Sequence, residues 1–572
     1  MIRYMREAAA ILAEALGPET LAEEQILQLL ERPKSEEHGD IAFPCFQVAK
    51  ALKKAPPAVA AELSAKLDGK GSFVSVKNLG PFLNFRLSAA AAFVIAREVS
   101  DRGPFFGHSL SGQGQKILIE FSSPNVAKEL HIGHFRTTIL GQTLCNIYRA
   151  SGHDVIAINH LGDWGSQFGR VAYGYLKYGN EEEMLKNPLE YLTKLYVRVS
   201  AEEETNPAID QEARLLFKRI EEKDPELTAI WEKFCRLSID GLKKVYTRLG
   251  VSFDHFIGES FYFDKIDALV DELKEKRLLV ESEGAQIVPL GEEMPPCLIL
   301  TRDGTSLYAT RDLAAAIWRH GHFHFNRSLY VVGNEQQLHF KQVFAVLELM
   351  GHAWAKNLQH VNYGLYRFKD GKFSTRKGRV ILAEEVMNEA KDKALELIKS
   401  KNPDLSGKED VAEIVGVGAV IFNDLSTDRL KDVEFDWDRI LDFEGDTGPY
   451  LQYSYARASS ILRTAATRGL VPRKPATSQV LQESEAALAL MKQFGRLENT
   501  IEGAVRLNKP SIVANYALDL AKNFSGFYRQ VRVLDDSAAP EDVAERLGLV
   551  SAFRQVLGNT LSLLCMKAPE EM

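Results

Sequence analysis

"KILIEFSSPNVAKELHIGHFRTTILGQTL", residues 116–144, is the stretch on which the reading of this chain turns. Residues 116–121 form a short apolar run of the kind a buried strand uses. Leu140, Leu144, Ile147 and Tyr148 then recur at helical spacing up to the stop "ASGHD". Between the two lies a turn that carries Pro124, Lys128, His131, Gly133 and His134. A strand that feeds a helix through such a turn is the unit of a parallel α/β sheet, whose ligands sit at the carboxyl ends of the strands. The unpaired N–H groups and partial positive charge of the helix N-terminus suit phosphate oxygens. Gly133 would let a nucleotide lie close to the backbone, and His131 and His134 would add ring N–H donors to the same phosphates. The pair alone is a poor metal site, because H-x-x-H supplies too few ligands.

Working outward, "VIAIN" (155–159), "LYVVG" (329–333) and "VNYGLYRF" (361–368) read as three more strands, so a doubly wound parallel sheet is expected. The charged helical pattern between the second and third strands reads as an insertion at about 170–300. Upstream, a helix over 2–16, "HGDIAFPCFQVAKALKKAPPAVA" and "SFVSVKNLGPFLNFRL" suggest a small α+β unit, closed by the linker-like "DRGPFFGHSLSGQGQ" (101–115). From about 385 nearly everything follows a helical period. The expected division is 1–112, an α+β N-terminal unit; 113–384, the sheet with its insertion; 385–449, a helical junction; and 450–572, an all-α domain.

A chain of 572 residues, 45% hydrophobic, exceeds one core and predicts three or more domains. Its five cysteines are scattered and lack any C-x-x-C, so neither a disulfide framework nor a thiolate zinc site is expected. "MIRYMREAAAILAEALG" is an amphipathic helix pattern rather than a signal peptide, and "IVGVGAVIF" (414–422), the longest apolar run, is too short to span a bilayer. A soluble, cytoplasmic protein is expected. The net charge of −8 argues against bulk nucleic-acid binding. Residues 451–572, however, hold 15 basic against 12 acidic side chains.

"FSSPNVAKELHIGHFRTT" with "NHLGDWGSQFG" (159–169) resembles the HIGH region of class I aminoacyl-tRNA synthetases, and of arginyl-tRNA synthetases in particular. The resemblance implies that His131, Gly133 and His134 hold ATP as the arginine carboxylate attacks its α-phosphate. "FKDGKFSTRKGRV" (368–380) is a basic loop of the kind that offsets charge on a departing pyrophosphate. It resembles the KMSKS loop, with Lys372, Phe373, Ser374, Thr375 and Arg376 in register. Thr375 stands where the motif has its second lysine, and Lys128, just upstream of HIGH, matches the lysine thought to substitute in this family. By the same resemblance Lys128, Lys372, His131 and His134 are the catalytic set, and Lys372, Ser374 and Arg376 join the ATP site.

A guanidinium needs a carboxylate that meets its planar fork of donors. "DGTSLYATRDLAAAIWR" (303–319) puts Tyr308 and Asp312 four apart, on one face of a helix. It is similar to the family's amino-acid pocket, which implies that Tyr308 and Asp312 hold the arginine side chain. Gln336 of "GNEQQLHFKQ" matches a position contacting the same group, with Gln337 and Gln342 as nearby alternatives. Ser123, Pro124, Asn125 and His134 match residues around the substrate's α-amino and carboxylate end. "EGDTGPYLQYSYARASSILR" (444–463) resembles the entry to the family's anticodon-binding domain. There Tyr450, Tyr453 and Tyr455, near Arg457, would stack on splayed tRNA bases, although tyrosines at this spacing also serve as core. The resemblance thus implies arginine, ATP and tRNA(Arg) as partners, magnesium arriving with ATP, no protein-bound zinc, and a monomer without a membrane.

Overall fold

A computed structural model describes residues 1–17, 19–368 and 381–572. Near the N-terminus, β1 (Ile41–Pro44), β2 (Phe73–Leu79) and β3 (Phe82–Leu87) form an antiparallel sheet in the order β1-β3-β2, packed among helices. The hairpin between β2 and β3 turns at Gly80, whose φ of 56° lies where a side chain is disfavoured.

The central sheet begins with β4 (Lys116–Glu120) and continues with β5 (Asp154–Asn159) and β6 (His255–Phe256). After a separate antiparallel sheet of β7 (Val280–Ser282), β8 (Ala285–Val288) and β9 (Cys297–Leu300), it is completed by β10 (Arg327–Tyr330) and β11 (Leu358–His360). The order is β11-β10-β4-β5-β6 and every pairing is parallel. Ile117, Leu118 and Ile119 are all at most 1% exposed, as a strand covered on both faces requires. The order reverses between β4 and β10, so the crevice at their carboxyl ends is the topological switch point.

Three features depart from the expected pattern. The fourth strand lies at Leu358–His360, just before the expected run, and 361–365 leaves the sheet. Gly364 causes that departure: its N–H donates to Arg429 O at 2.9 Å, and a Cβ there would stand 2.7 Å from the Lys431 backbone. Residues 366–368 then form β12 (Tyr366–Phe368), which pairs with β13 (Val433–Phe435) in a second small parallel sheet. Within the stretch read as an insertion, the helices between Gln167 and Leu249 give way to β6, which rejoins the central sheet.

The apolar run 414–422 lies in the buried helix Lys408–Ser426. Among the described residues no helix is long and apolar enough to cross a membrane. The C-terminal helices close against the sheet through buried polar contacts. Tyr148 donates to Asn508 Oδ1 at 2.7 Å, Arg429 Nε to Asn508 O at 2.9 Å, and Asn508 Nδ2 to Gln359 Oε1 at 3.0 Å. Asn508 is fully buried and left-handed, with φ at 50°. Nearby, Asn146 donates to the carbonyls of Ser562 and Leu563.

Candidate active site

The turn after β4 is held in an unusual shape. Ser122, Ser123 and Ala127 have φ of 72°, 47° and 63°, a region L-residues rarely adopt and keep only where surroundings over-determine it. The surroundings do so here. Ser122 N–H donates to Thr137 Oγ1 at 3.0 Å, Ser122 Oγ meets Tyr246 OH at 2.8 Å, and Ala127 N–H donates to Ser238 Oγ at 3.0 Å. Val126 N–H and Pro124 O exchange hydrogen bonds with Gly162, where a Cβ would stand 2.1 Å from Asn125 Oδ1. Gly162 is therefore what lets "SSPN" lie against "NHLGDWG". Asn125 faces solvent, and Ser123 Oγ is buried without a hydrogen-bond partner among the described residues. Such an orphan at a crevice is a place for a ligand's polar group.

The two histidine rings lie against each other, centroids 3.9 Å apart and planes tilted by 39°. Gly133 N–H donates to His131 Nδ1 at 3.1 Å, and His131 N–H to His134 Nδ1 at 3.2 Å. With both Nδ1 atoms accepting, each neutral ring carries its proton on Nε2. A Cβ at position 133 would stand 2.8 Å from the His131 ring, so the glycine makes room for that ring. Burial, then His131, pushes the His134 pKa down to about 3; burial, then Lys128, lowers that of His131. Lys128 lies over the Tyr196 ring at 4.7 Å.

The His134 shift has a sign that can be measured. Below its ordinary value of 6.5 the unfolded chain binds a proton that the folded ring refuses, so stability falls as pH drops from there towards about 3. His134→Asn removes this contribution and is expected to move the acid-unfolding midpoint, followed by circular dichroism, to lower pH.

From residue 381 the chain lies against the same turn: Ile132 N–H donates to Ile381 O at 3.0 Å and Ala383 N–H to Leu130 O at 2.8 Å. Lys372, Phe373, Ser374, Thr375 and Arg376 lie outside the described residues.

The third wall is the helix Tyr308–Phe323. Asp312 stands one turn inside it and receives His339 Nε2 on Oδ2 at 2.6 Å. Its Oδ1 lies 4.0 Å from His160 Nε2, and His160 directly follows β5, so Asp312 sits at the carboxyl edge of the sheet. Tyr308 is 70% exposed, with the Arg311 guanidinium 5.4 Å from its ring centre. Gln336 and Gln337 are exposed in the turn that follows β10, whereas Gln342 donates to the Pro295 and Pro296 carbonyls. Sequence reasoning missed His339, His160 and Glu259, whose carboxylate pairs with Arg311 at 2.5 Å. The available signal for His339 was its place one turn beyond Gln336, in a helix opening at the carboxyl end of a strand.

Three family models match the chain in succession: the arginyl-tRNA synthetase N-terminal domain over 6–87, the class I (R) tRNA synthetase catalytic domain over 106–437, and the DALR anticodon-binding domain over 451–572. An arginine–tRNA ligase of Clostridium perfringens is 44% identical over 553 residues, 96% of this chain and 97% of its own length. Another, of Exiguobacterium sibiricum, is 45% identical over 573 residues, 100% of each chain. The chain belongs to the arginyl-tRNA synthetase family. The solved arginyl-tRNA synthetase of Thermus thermophilus has the same architecture, with a TM-score of 0.82 and 26% identity over 100% of each chain.

In this arginyl-tRNA synthetase fold the tyrosines of the helix Gly448–Thr467 play unequal parts. Tyr453 and Arg457 are exposed one turn apart, and the Arg457 guanidinium lies 4.2 Å from the Tyr528 ring centre. Tyr450 packs partly against the core. Tyr455 is half-buried, bonded to Glu570 at 3.4 Å and overlain by Arg554, so its ring is less available than that of Tyr453.

Proposed function

We propose that this arginine–tRNA ligase activates L-arginine with ATP, releasing pyrophosphate, and then passes the arginyl group to the 2′-hydroxyl of the terminal adenosine of tRNA(Arg), with tRNA bound before activation. The observation that carries the reading is that two Nε2–H donors after β4 and a carboxylate beside His160, which follows β5, stand at the same end of the sheet. His131 and His134 face where a triphosphate would lie, and Asp312 is suited to a guanidinium. Ser123 and Asn125, with Pro124 shaping their turn, hold the substrate's α-amino and carboxylate end; Tyr308 and Gln336 close on the side chain. The carboxylate oxygen attacks the α-phosphorus while the P–O bond to pyrophosphate breaks. Neutral histidine donors and the Lys128 ammonium stabilise the charge that spreads onto the phosphate oxygens. Lys372, Ser374 and Arg376 extend that role from 369–380. The tRNA hydroxyl then attacks the adenylate's carbonyl carbon, and AMP leaves with the bonding pair.

Among the described residues no group of three or more His, Cys, Asp or Glu side chains could hold a metal ion. Magnesium would come on the triphosphate's own oxygens, as its preference for phosphate and water ligands implies. Residues 1–112 and 450–572 flank the catalytic unit, 113–384, and its junction, 385–449, as the surfaces for tRNA, the latter through Tyr453 and Arg457 with Tyr450 and Tyr455 behind them. The protein acts as a cytoplasmic monomer.

The test is arginine-dependent ATP–pyrophosphate exchange with and without tRNA(Arg), with lysine as control. Exchange that needs both arginine and tRNA supports the reading, and exchange with neither amino acid refutes it. In the same assay, His131→Asn is expected to lower turnover about 10²-fold, the scale for losing one preorganised donor, with the KM for arginine little changed.

A further inference from the structure

His160 is 11% exposed and caught between two acceptors. Its Nδ1 lies 3.2 Å from Ile257 O. A carbonyl only accepts, so Nδ1 carries a proton; with that proton alone on the ring, Nε2 presents its lone pair on the side away from Ile257. That atom faces Asp312 Oδ1 at 4.0 Å, too far for a hydrogen bond. The other carboxylates around the ring already have donors: Asp163 accepts from Ser260 N–H at 2.9 Å and Ser260 Oγ at 2.6 Å, and Glu259 is paired with Arg311. Asp312 Oδ2 is taken by His339, which leaves Oδ1 with no donor among the described residues. Two acceptors therefore look at each other across a gap, with the donors that would satisfy them supplied by neither side.

We infer that His160 Nε2 and Asp312 Oδ1 together read the guanidinium of arginine, the imidazole acting as a neutral second acceptor that fixes the fork beside the carboxylate. This rests on the function proposed above and adds a specificity-determining residue to it. A planar guanidinium presents adjacent N–H groups that can be shared between the two acceptors. The ureido oxygen of citrulline, turned into the same place, would meet the lone pair of His160 instead. His339 then has a distinct part: by donating to Oδ2 it orients the carboxylate so that Oδ1 is left for substrate.

The test compares His160→Gln, His160→Leu and His160→Lys with the parent in tRNA-dependent pyrophosphate exchange, reading KM and kcat for arginine and the inhibition constant of citrulline. His160→Leu is expected to raise the KM for arginine about 10- to 100-fold, the range for a lost hydrogen bond to a charged group, with kcat within about 3-fold and the arginine-to-citrulline preference reduced. His160→Gln, which keeps a neutral acceptor, should recover most of the KM. His160→Lys, a fixed cation, should be worse than leucine. Should leucine leave KM unchanged, or lysine bind arginine as the parent does, the assignment is wrong. A fall in kcat alone, equal for all three variants, would mark a structural role and also overturn it. If leucine does not fold, the contrast between glutamine and lysine still decides. A parent enzyme inactive with arginine refutes the underlying function, whereas an active parent with indifferent variants refutes only the role of His160.

Discussion

Asp312→Asn is expected to lower kcat/KM for arginine about 10³-fold, the scale on which a buried charge pair that loses one member is destabilised, while the KM for ATP stays within about 3-fold. The asparagine keeps the size of the side chain and removes its charge. An amide also donates where the carboxylate only accepted, so any rotamer that satisfies His339 with its oxygen turns an N–H towards the guanidinium. The loss should therefore appear in KM before kcat, and lysine or ornithine should not be gained as substrates, because nothing new is offered to an ammonium. Steady-state exchange at saturating ATP and tRNA measures it. Equal losses for ATP and arginine would mean that the helix Tyr308–Phe323 had moved and that Asp312 was not a contact.

The second large effect is on stability. Arg136, in the helix Gly133–Ala150, is 1% exposed and donates to Gly364 O at 2.7 Å and Lys431 O at 2.8 Å, with Nε 3.6 Å from Asp424. Asp424 is fully buried and accepts from Tyr366 OH; burial holds its carboxyl above the usual range even with Arg136 beside it. Arg136→Met leaves two carbonyls unpaired and the carboxylate without its countercharge, at an expected cost of about 3–5 kcal/mol. The sign of the pH dependence follows. Without Arg136 the folded Asp424 holds its proton more tightly than the unfolded chain does, so stability is lost as pH rises through that range, and the variant should melt lower at pH 8 than at pH 5. Asp424→Asn in the Arg136→Met background should restore part of the loss. Differential scanning calorimetry of the four combinations checks both statements.

The strand, turn and helix of 116–150 were legible because their signals are local: an apolar run, a turn, then a helical period. The histidine pair could be picked out by the same strand, turn and helix signals, whereas Asp312, an acid on a helix like many others, could be picked out only because its stretch resembles the family's amino-acid pocket. What could not be read depends on contacts between distant segments. Nothing in β6, two residues long, marks it as a strand; it is one because Ile158 and Asn159 lie alongside. The run 361–368 has strand-like composition, yet the close approach of Gly364 to 431 takes it out of the sheet. His339 reaches Asp312 across 27 positions and Tyr246 reaches Ser122 across 124, so neither partner was visible beforehand. The tyrosines of 450–455 share one helical pattern, and only packing against Glu570 and Arg554 separates Tyr455 from Tyr453.

The asparagine that plugs the C-terminal helices into the sheet bears on how the chain is made. Arg429 waits for a carbonyl 79 positions later, and Tyr148 for a side chain 360 positions later. At ordinary rates of synthesis the first interval alone lasts on the order of ten seconds. Until then Tyr148 and Arg429 lack these closing partners. The ribosome thus releases a catalytic unit that is finished only by its own last helices, and stalling or truncation beyond 437 should send it to chaperones and proteases rather than yield a smaller working enzyme.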